Sequence, residues 1–542
     1  MTLAPASHPL PEPRSAQGPR ARWRRHLGWI ALAVILTAAA LLRTHDLTRH
    51  ALWSDEIYTL ETSAGFGLES KWLNEAGLLE EVPDLLSITP DRPWWTVATT
   101  LARDDNHPPL YFLLVRLWRH AFGDGDAALR SFSVACSVGA IALLYDAARH
   151  LHGVGPALWA ALLMSVAIPQ IQFAQEGRAY ALMLLLGMGA CAAIVRIERL
   201  GPSPWRYAAL LGCILALLLT HYYAIAPAAA LVIYAIARLT GPPRRRTLLA
   251  LAGAAALFAV LWGWAMWRQR LNLEGNNWYI VETRDDHLAA TVRRLLVLPA
   301  SLIIEPRLSA RFAASFAAVL YVIPFLLRRR RPDLLLWGLW LISIVALVLA
   351  VDLINSSKQL DFLRYSILAS PAIYALIPAV TSRLKSRWLP HALPAATALS
   401  CVFGLPLAYE QTQTPKPDWR IHADVVQREA GDDEIILFWG SYPQDAGIVS
   451  NNYLNLRRYA PRTPRTVIFT AEPTPSPAVQ EKLRQASGLW VVVPIEKPMS
   501  DAYLDGMKLR ARSVVWGLPE VQHWTRVDDG PREMPTTRNE RP

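Results

Sequence analysis

Between residues 28 and 408 the chain alternates apolar runs of roughly 15 to 20 residues with short polar links, and this ladder constrains the fold more than any single motif. The runs fall near 28–43, 108–122, 131–147, 156–174, 179–196, 205–220, 223–238, 247–267, 310–327, 333–352, 366–382 and 388–408. Backbone groups in hydrocarbon have no water to bond, so segments of this kind cross a bilayer as helices that satisfy their own N–H and C=O groups. A hydrophobic fraction of 53% over 542 residues agrees with an α-helical polytopic membrane protein.

The net charge of +11 raises the question of a nucleic-acid partner. The arginines answer it by their placement: "RARWRRH", "RIERLGPSPWR", "RLTGPPRRR", "RRRR" and "SRLKSR" all stand in short links between apolar runs, not on one amphipathic face with interleaved aromatics. They are topology signals, and the positive-inside rule puts these links in the cytoplasm. The alternate links then face outward: 44–107, "QEGR" at 175–178, "HYY" at 221–223, 268–307, 353–365 and everything beyond about 410. A cytoplasmic start and an external finish require an odd number of crossings. The run 108–122, interrupted by Arg116, Arg119 and His120, is the one to drop, as a short or re-entrant helix. About 11 transmembrane helices remain.

Residues 1–25, rich in Pro, Arg and Ala, read as a disordered cytoplasmic tail. The basic start followed by "LGWIALAVILTAAA" also has the form of a secretory signal; retention is expected, because losing this helix would detach the acidic loop behind it. The four cysteines lie inside apolar runs and imply neither a disulfide nor thiol chemistry. The transmembrane domain extends over 26–410, with 44–107 as its first external loop. From 415 to 530 the composition is that of a soluble α/β domain, with a helix at about 418–430, strands at 434–439, 465–470 and 488–494, and a helix at 477–486. Residues 531–542 read as a second disordered tail.

Ionisable groups at membrane depth are costly and mark function, and the topology gathers a set of them at the outer face. The first loop supplies Asp55 and Glu56 at its start and "DDNHPPL", with His107, at its end. "AQEGRAY" adds Glu176, Arg178 and Tyr180; "THYY" adds His221; "QLDFLRYSILASP" adds Asp361, Arg364 and Tyr365. Singly, each has an ordinary reading: solvated loop carboxylates, helix-end arginines reaching to headgroups, interfacial histidines, and Trp53, Trp94, Trp95 and Tyr222 as belt aromatics. Asp55 and Glu56 point apart in a helix or a strand, so one is expected to do chemistry while the other orients it. Together the set offers a carboxylate that accepts a proton and guanidinium forks that suit phosphate oxygens, which fits a phosphate carried on a lipid.

"LWSDEIYTLETS", "DDNHPPLYFLLVRLWRHAFGDGDAALRSFS", "QFAQEGRAYALMLLL", "LLTHYYA" and "FLRYSILASP" resemble successive motifs of bacterial C-type (GT-C) glycosyltransferases. The branch is the one related to dolichyl-phosphate-mannose protein mannosyltransferases (family 39) and lipid A aminoarabinose transferases (family 83), and the likeness covers roughly residues 25 to 410. The resemblance implies inverting transfer from a polyprenyl-phosphate sugar to an acceptor hydroxyl of a glycan, lipid or protein, outside the cytoplasmic membrane. Asp55 takes the place of the catalytic base, with Glu56 beside it. His107, Glu176, Arg178, Tyr180, His221, Arg364 and Tyr365 take the places of donor- and phosphate-binding groups. Some members of the superfamily use a divalent metal, and Asp55, Glu56, His107, Glu176 and His221 are the side chains that would have to gather around it. No local metal-ligand spacing requires one. A secondary transporter and a non-catalytic membrane scaffold are the rival readings. Against a transporter, the first loop has no counterpart in a second half.

Overall fold

The computed structural model describes residues 19–73, 77–81, 84–270, 287–304, 321–322, 331–410, 418–440, 446–461, 464, 466–470, 472–493, 499–515, 518–526 and 538–539. Helix α1 (Pro19–Thr44) begins inside the stretch expected to be a disordered tail. Pro at its first position and the Arg and Ala residues that follow favour early helix initiation. Six described helices are long and apolar enough to cross a membrane: His26–Thr44, Asp126–His152, Tyr180–Leu200, Gly241–Gln269, Pro332–Asn355 and Leu363–Thr381. Three shorter apolar helices, Pro204–Leu218, Tyr222–Arg238 and Leu389–Phe403, meet further expected runs. The run 310–327 lies almost wholly outside the described residues.

The expected run 156–174 is broken. Val154–Val166 and Ile168–Ala174 are separate helices bent by 60°, with Pro169 in the first turn of the second. A break at this depth exposes carbonyls with no water to donate to them. Arg43, fully buried at the end of α1, supplies the donors: its guanidinium bonds Met164 O at 3.0 Å, Ser165 O at 2.9 Å and Ser137 Oγ at 2.8 Å.

The run 108–122 forms a helix of 13 residues, Leu110–Phe122, shorter than the roughly 20 residues a crossing needs. Its interrupting arginines face inward. Arg116 reaches the carbonyls of Ser63 and Ala64, and Arg119 those of Leu60 and Leu86, so both bind this helix to the first loop.

The C-terminal region is a sheet flanked by helices. Strands β2 (Ile435–Trp439), β3 (Thr466–Thr470) and β4 (Gly488–Val493) are parallel neighbours. Strands β5 (Met507–Val515) and β6 (Glu520–Arg526) continue the sheet antiparallel beyond β4. Every residue of β2 and β4 is buried, as befits central strands covered on both faces. Helices Trp419–Glu429, Ala446–Tyr459 and Pro477–Gln485 supply the cover. Two edge strands depart from the sequence expectation. β1 (Leu78–Leu79) comes from the first external loop and pairs with β3. β7 (Arg538–Asn539), within the stretch expected to be disordered, pairs with β5, because an unpaired edge is an open row of donors and acceptors.

His422 in this domain is fully buried, with Nδ1 3.0 Å from Ser513 Oγ and Nε2 3.0 Å from Pro519 O. Burial pushes its imidazole down to about 4, whereas the unfolded chain titrates near the ordinary value of about 6.5. The unfolded state therefore binds the extra proton between these limits, and stability present above about 6.5 is lost as pH falls toward 4. Hydrogen exchange on the intact protein, corrected for intrinsic rates, is expected to show β4 and β6 amides losing protection through this window. In His422→Gln the part of the decline above the carboxylate range should disappear.

Candidate active site

Helix α2 (Ser54–Ala64) carries the paired acids in its first turn, where the helix dipole favours them. It turns sharply at Gly65, whose φ of 101° suits glycine and where a Cβ would meet the Thr96 hydroxyl. Ile57, Leu60 and Ala64 are fully buried and fix which way the helix faces.

From that turn the two carboxylates diverge. Glu56 is fully buried and forked by Arg130, at 2.8 Å from Nε and 2.7 Å from Nη2. It also accepts from the backbone N–H of Gly177 at 2.7 Å and of Trp53 at 3.3 Å. Asp55 keeps 29% of its side chain exposed and faces two other arginines. Its Oδ2 is 3.4 Å from Arg364 Nη1 and 3.9 Å from Arg178 Nε. Arg178 is tied down further through Nη1, which bonds Asp55 O at 3.1 Å and Thr59 Oγ1 at 3.2 Å.

The Glu-Gly-Arg run thus has a division of labour. The Gly177 N–H holds Glu56, and a Cβ there would run into Leu129 at 2.7 Å. Arg178 holds α2, through Asp55 O and Thr59 Oγ1. Trp53, Gln172, Glu176, Asp361, Phe362 and Arg364 line a half-open cleft with a cavity volume of about 100 Å³. Trp53 is therefore part of the cleft wall, 8% exposed, and not a belt residue. Arg364 is flanked by aromatic faces, with ring centroids of Trp53, Phe362 and Tyr365 at 5.9, 5.1 and 5.3 Å from its Cζ. Tyr180 opens the Tyr180–Leu200 helix and packs edge-on against Phe173.

His107 and His221 form a neighbouring group. Their rings are 6.0 Å apart, and His107 Nδ1 lies 3.0 Å from Asp105 Oδ1. Burial pushes His221 down to about 3, with His107 and Arg178 adding to the effect, so it is neutral. Its Nδ1 accepts from Tyr223 N at 3.1 Å, which leaves Nε2 to carry the proton. Burial works to raise the Asp105 carboxyl, but His107, the Asn106 N–H and Arg178 outweigh it and hold Asp105 below the usual carboxylate range. Arg178 feels both groups: burial opposes its charge, and Asp55, Tyr180, Tyr111 and Asp105 together overcome that and raise its pKa. Arg178 is the electrostatic link between the two clusters. Glu56 turns away from them, and among the described residues no three His, Cys, Asp or Glu side chains form a set that could hold a metal.

Sequence reasoning missed Arg130 and Arg294. Arg130 sits in the quoted "DAALRSFS", at the edge of the apolar run 131–147, and the cost of burying a charge there was the available signal. Arg294, in the helix His287–Ser301, pairs with Asp361 at 2.5 Å on the rim of the cleft; nothing in its local sequence marks it.

Cutting a buried ion pair from one side strands the other charge. Glu56→Met or Arg130→Met is expected to cost about 3–5 kcal/mol. The double substitution should cost less than either alone, as thermal unfolding of the three purified variants would show.

Residues 106–267 match the model of the family described as dolichyl-phosphate-mannose-protein mannosyltransferase. No curated protein matches the chain. Among solved structures, ArnT from Cupriavidus metallidurans in the apo state is similar at a TM-score of 0.53 and 15% identity, over 92% of this chain and 98% of that one. The same protein bound to undecaprenyl phosphate gives 0.52 and 15%, over 93% and 99%. The chain accordingly has the fold of the polytopic C-type membrane glycosyltransferases, with an α/β domain at its C-terminal end.

Proposed function

We propose that this protein is an integral membrane glycosyltransferase that moves a sugar from a polyprenyl-phosphate donor to an acceptor hydroxyl, with inversion, at the external face of the cytoplasmic membrane. The observation that carries the reading is the meeting of the Asp55 carboxylate with Arg364 and Arg178, 3.4 and 3.9 Å away, beside one cleft. The lipid phosphate bound by the similar Cupriavidus metallidurans protein supports a donor of that class.

Helix direction supports this orientation. The site groups stand at the start of Tyr180–Leu200 and just past the end of Leu335–Asn355, whereas Arg199 and Arg331 stand at the opposite ends of those helices. Arg238 likewise lies at the far end of the helix that follows His221. The basic links and the cleft are thus at opposite ends of the bundle. The positive-inside rule then favours a cleft that opens away from the cytosol.

The chemistry follows from the positions. The acceptor oxygen attacks the anomeric carbon from the face opposite the phosphate, and its proton passes to Asp55. The bond from carbon to phosphate oxygen breaks with its electron pair, and the polyprenyl phosphate leaves. Attack opposite the leaving group inverts the configuration. The arginines beside Asp55 supply the positive charge that balances the phosphate as its own charge grows, an electrostatic role that a half-closed cleft strengthens. Asp361, held by Arg294, and Glu176 stand on the same wall and are placed to meet sugar hydroxyls.

Asp55→Asn is expected to lower transfer by about 10²- to 10⁴-fold at equal protein in membranes. Near-normal turnover would remove the base. Arg364→Glu should lose binding of the lipid-phosphate donor; normal binding would remove the phosphate role. With the phosphate charge carried by arginines, full activity is expected after exhaustive chelation, and loss of activity restored by a divalent ion would refute that assignment.

A further inference from the structure

The link from His45 to Trp53, which leads into α2 and Asp55, contains turns but no helix or strand. An irregular segment needs partners for its backbone groups, and here side chains from distant parts of the chain provide them one after another. Arg130 bonds the carbonyls of Leu47 and His50 at 2.8 Å each and that of Ala51 at 3.0 Å. Arg420 bonds those of Thr48 at 3.0 Å and Arg49 at 2.5 Å. The N–H of Leu52 donates to the hydroxyl of Tyr459 at 2.7 Å. Five consecutive carbonyls and the next N–H are therefore held by three side chains, two of which belong to the C-terminal domain.

Those two are themselves braced. Asp418 forks Arg420 at 2.6 and 2.7 Å. Tyr459 donates to Asp126 Oδ2 at 2.7 Å, and Arg458 grips the other oxygen of Asp126 at 2.8 Å. Asp126 opens the helix that carries Arg130. The domain is fastened to the first loop elsewhere too, by β1 on β3 and by Lys482 on Glu80 at 2.5 Å. Leu52, Ile57 and Leu60 share one hydrophobic cluster with Phe438, Tyr453 and Trp490.

We propose that the C-terminal domain is a working part of the active site, in which Tyr459 and Arg420 are positioning residues that hold the link into α2 and so keep the Asp55 carboxylate in register with Arg178 and Arg364. This rests on the reading of Asp55 as the base.

Tyr459→Phe deletes one hydroxyl and keeps the ring. In the full-length protein, per folded molecule, kcat is expected to fall on the order of 10- to 100-fold with KM for the lipid-linked donor unchanged, because a misplacement of about 1 Å acts on the transition state and not on donor binding. Hydrogen exchange should show amides 52–57 losing protection while those of Tyr180–Leu200 keep theirs. Arg420→Lys, which keeps the charge but not the fork, is expected to behave alike and serves if Tyr459→Phe folds poorly. Arg428→Lys, whose guanidinium pairs with Asp424 on its own helix, should match wild type. Unchanged kcat, a loss confined to KM, or lowered kcat with unchanged exchange at 52–57 would each overturn the proposal. A wild-type protein that transfers no sugar would instead strike down the glycosyltransferase reading, and the exchange data would still report whether the domain holds the link.

Discussion

The buried pair of Glu56 and Arg130 is the constraint on which the rest of the site depends. Both side chains are sealed from solvent, at 0% and 2% exposure, so each must find all its partners inside the protein. Glu56 finds Arg130, Gly177 N and Trp53 N. Arg130 finds Glu56 and three carbonyls of the link that leads into α2. No oxygen of that carboxylate is left over for a substrate, and none can leave without stranding a charge. Successive residues of a helix project about 100° apart, so locking Glu56 inward turns Asp55 toward Arg364, which lines the cleft.

The same device recurs at other departures from regular structure among the described residues. Arg43 bonds the carbonyls freed where Val154–Val166 gives way to Ile168–Ala174. Asp352, 1% exposed, accepts from Ser357 Oγ, Gln359 N and Leu360 N, and so turns the chain between the end of Leu335–Asn355 and Arg364. Arg116 and Arg119 close the turn after α2. Irregular backbone survives at membrane depth only where it is buried in protein or lines a water-filled cavity. Here a buried charge meets its polar groups, and the irregular segments it holds contain Glu176 or lead into Asp55 and Arg364. These buried charges are what allow loops, and hence a pocket, at this level.

The C-terminal domain belongs to the same scheme. Its sheet borrows a strand from the first loop, its hydrophobic cluster runs on into α2, and its arginine and tyrosine complete the hydrogen bonding of the Asp55 lead-in. Contacts of this kind join residues more than 350 positions apart, a separation at which a single sequence carries no local signal.

Much of the architecture was legible because it follows from solvent. Hydrocarbon demands long apolar helices, so the spans, the arginine-bearing links between them and the change to a soluble α/β domain stand plainly in the order of residues. The parting of Asp55 from Glu56 was legible too, since helix geometry alone separates neighbours, and the clustering of Asp55, Arg178 and Arg364 followed from the alternation of links. What the sequence could not assign was partnership. That Glu56 would take Arg130 and Asp55 would take Arg178 and Arg364, that Trp53 would wall a cleft, and that Tyr459 would cap Leu52 depend on which surfaces meet when helices and domain pack. Polar groups removed from water must pair with whatever the packing brings within about 3 Å, and only the tertiary structure decides what that is.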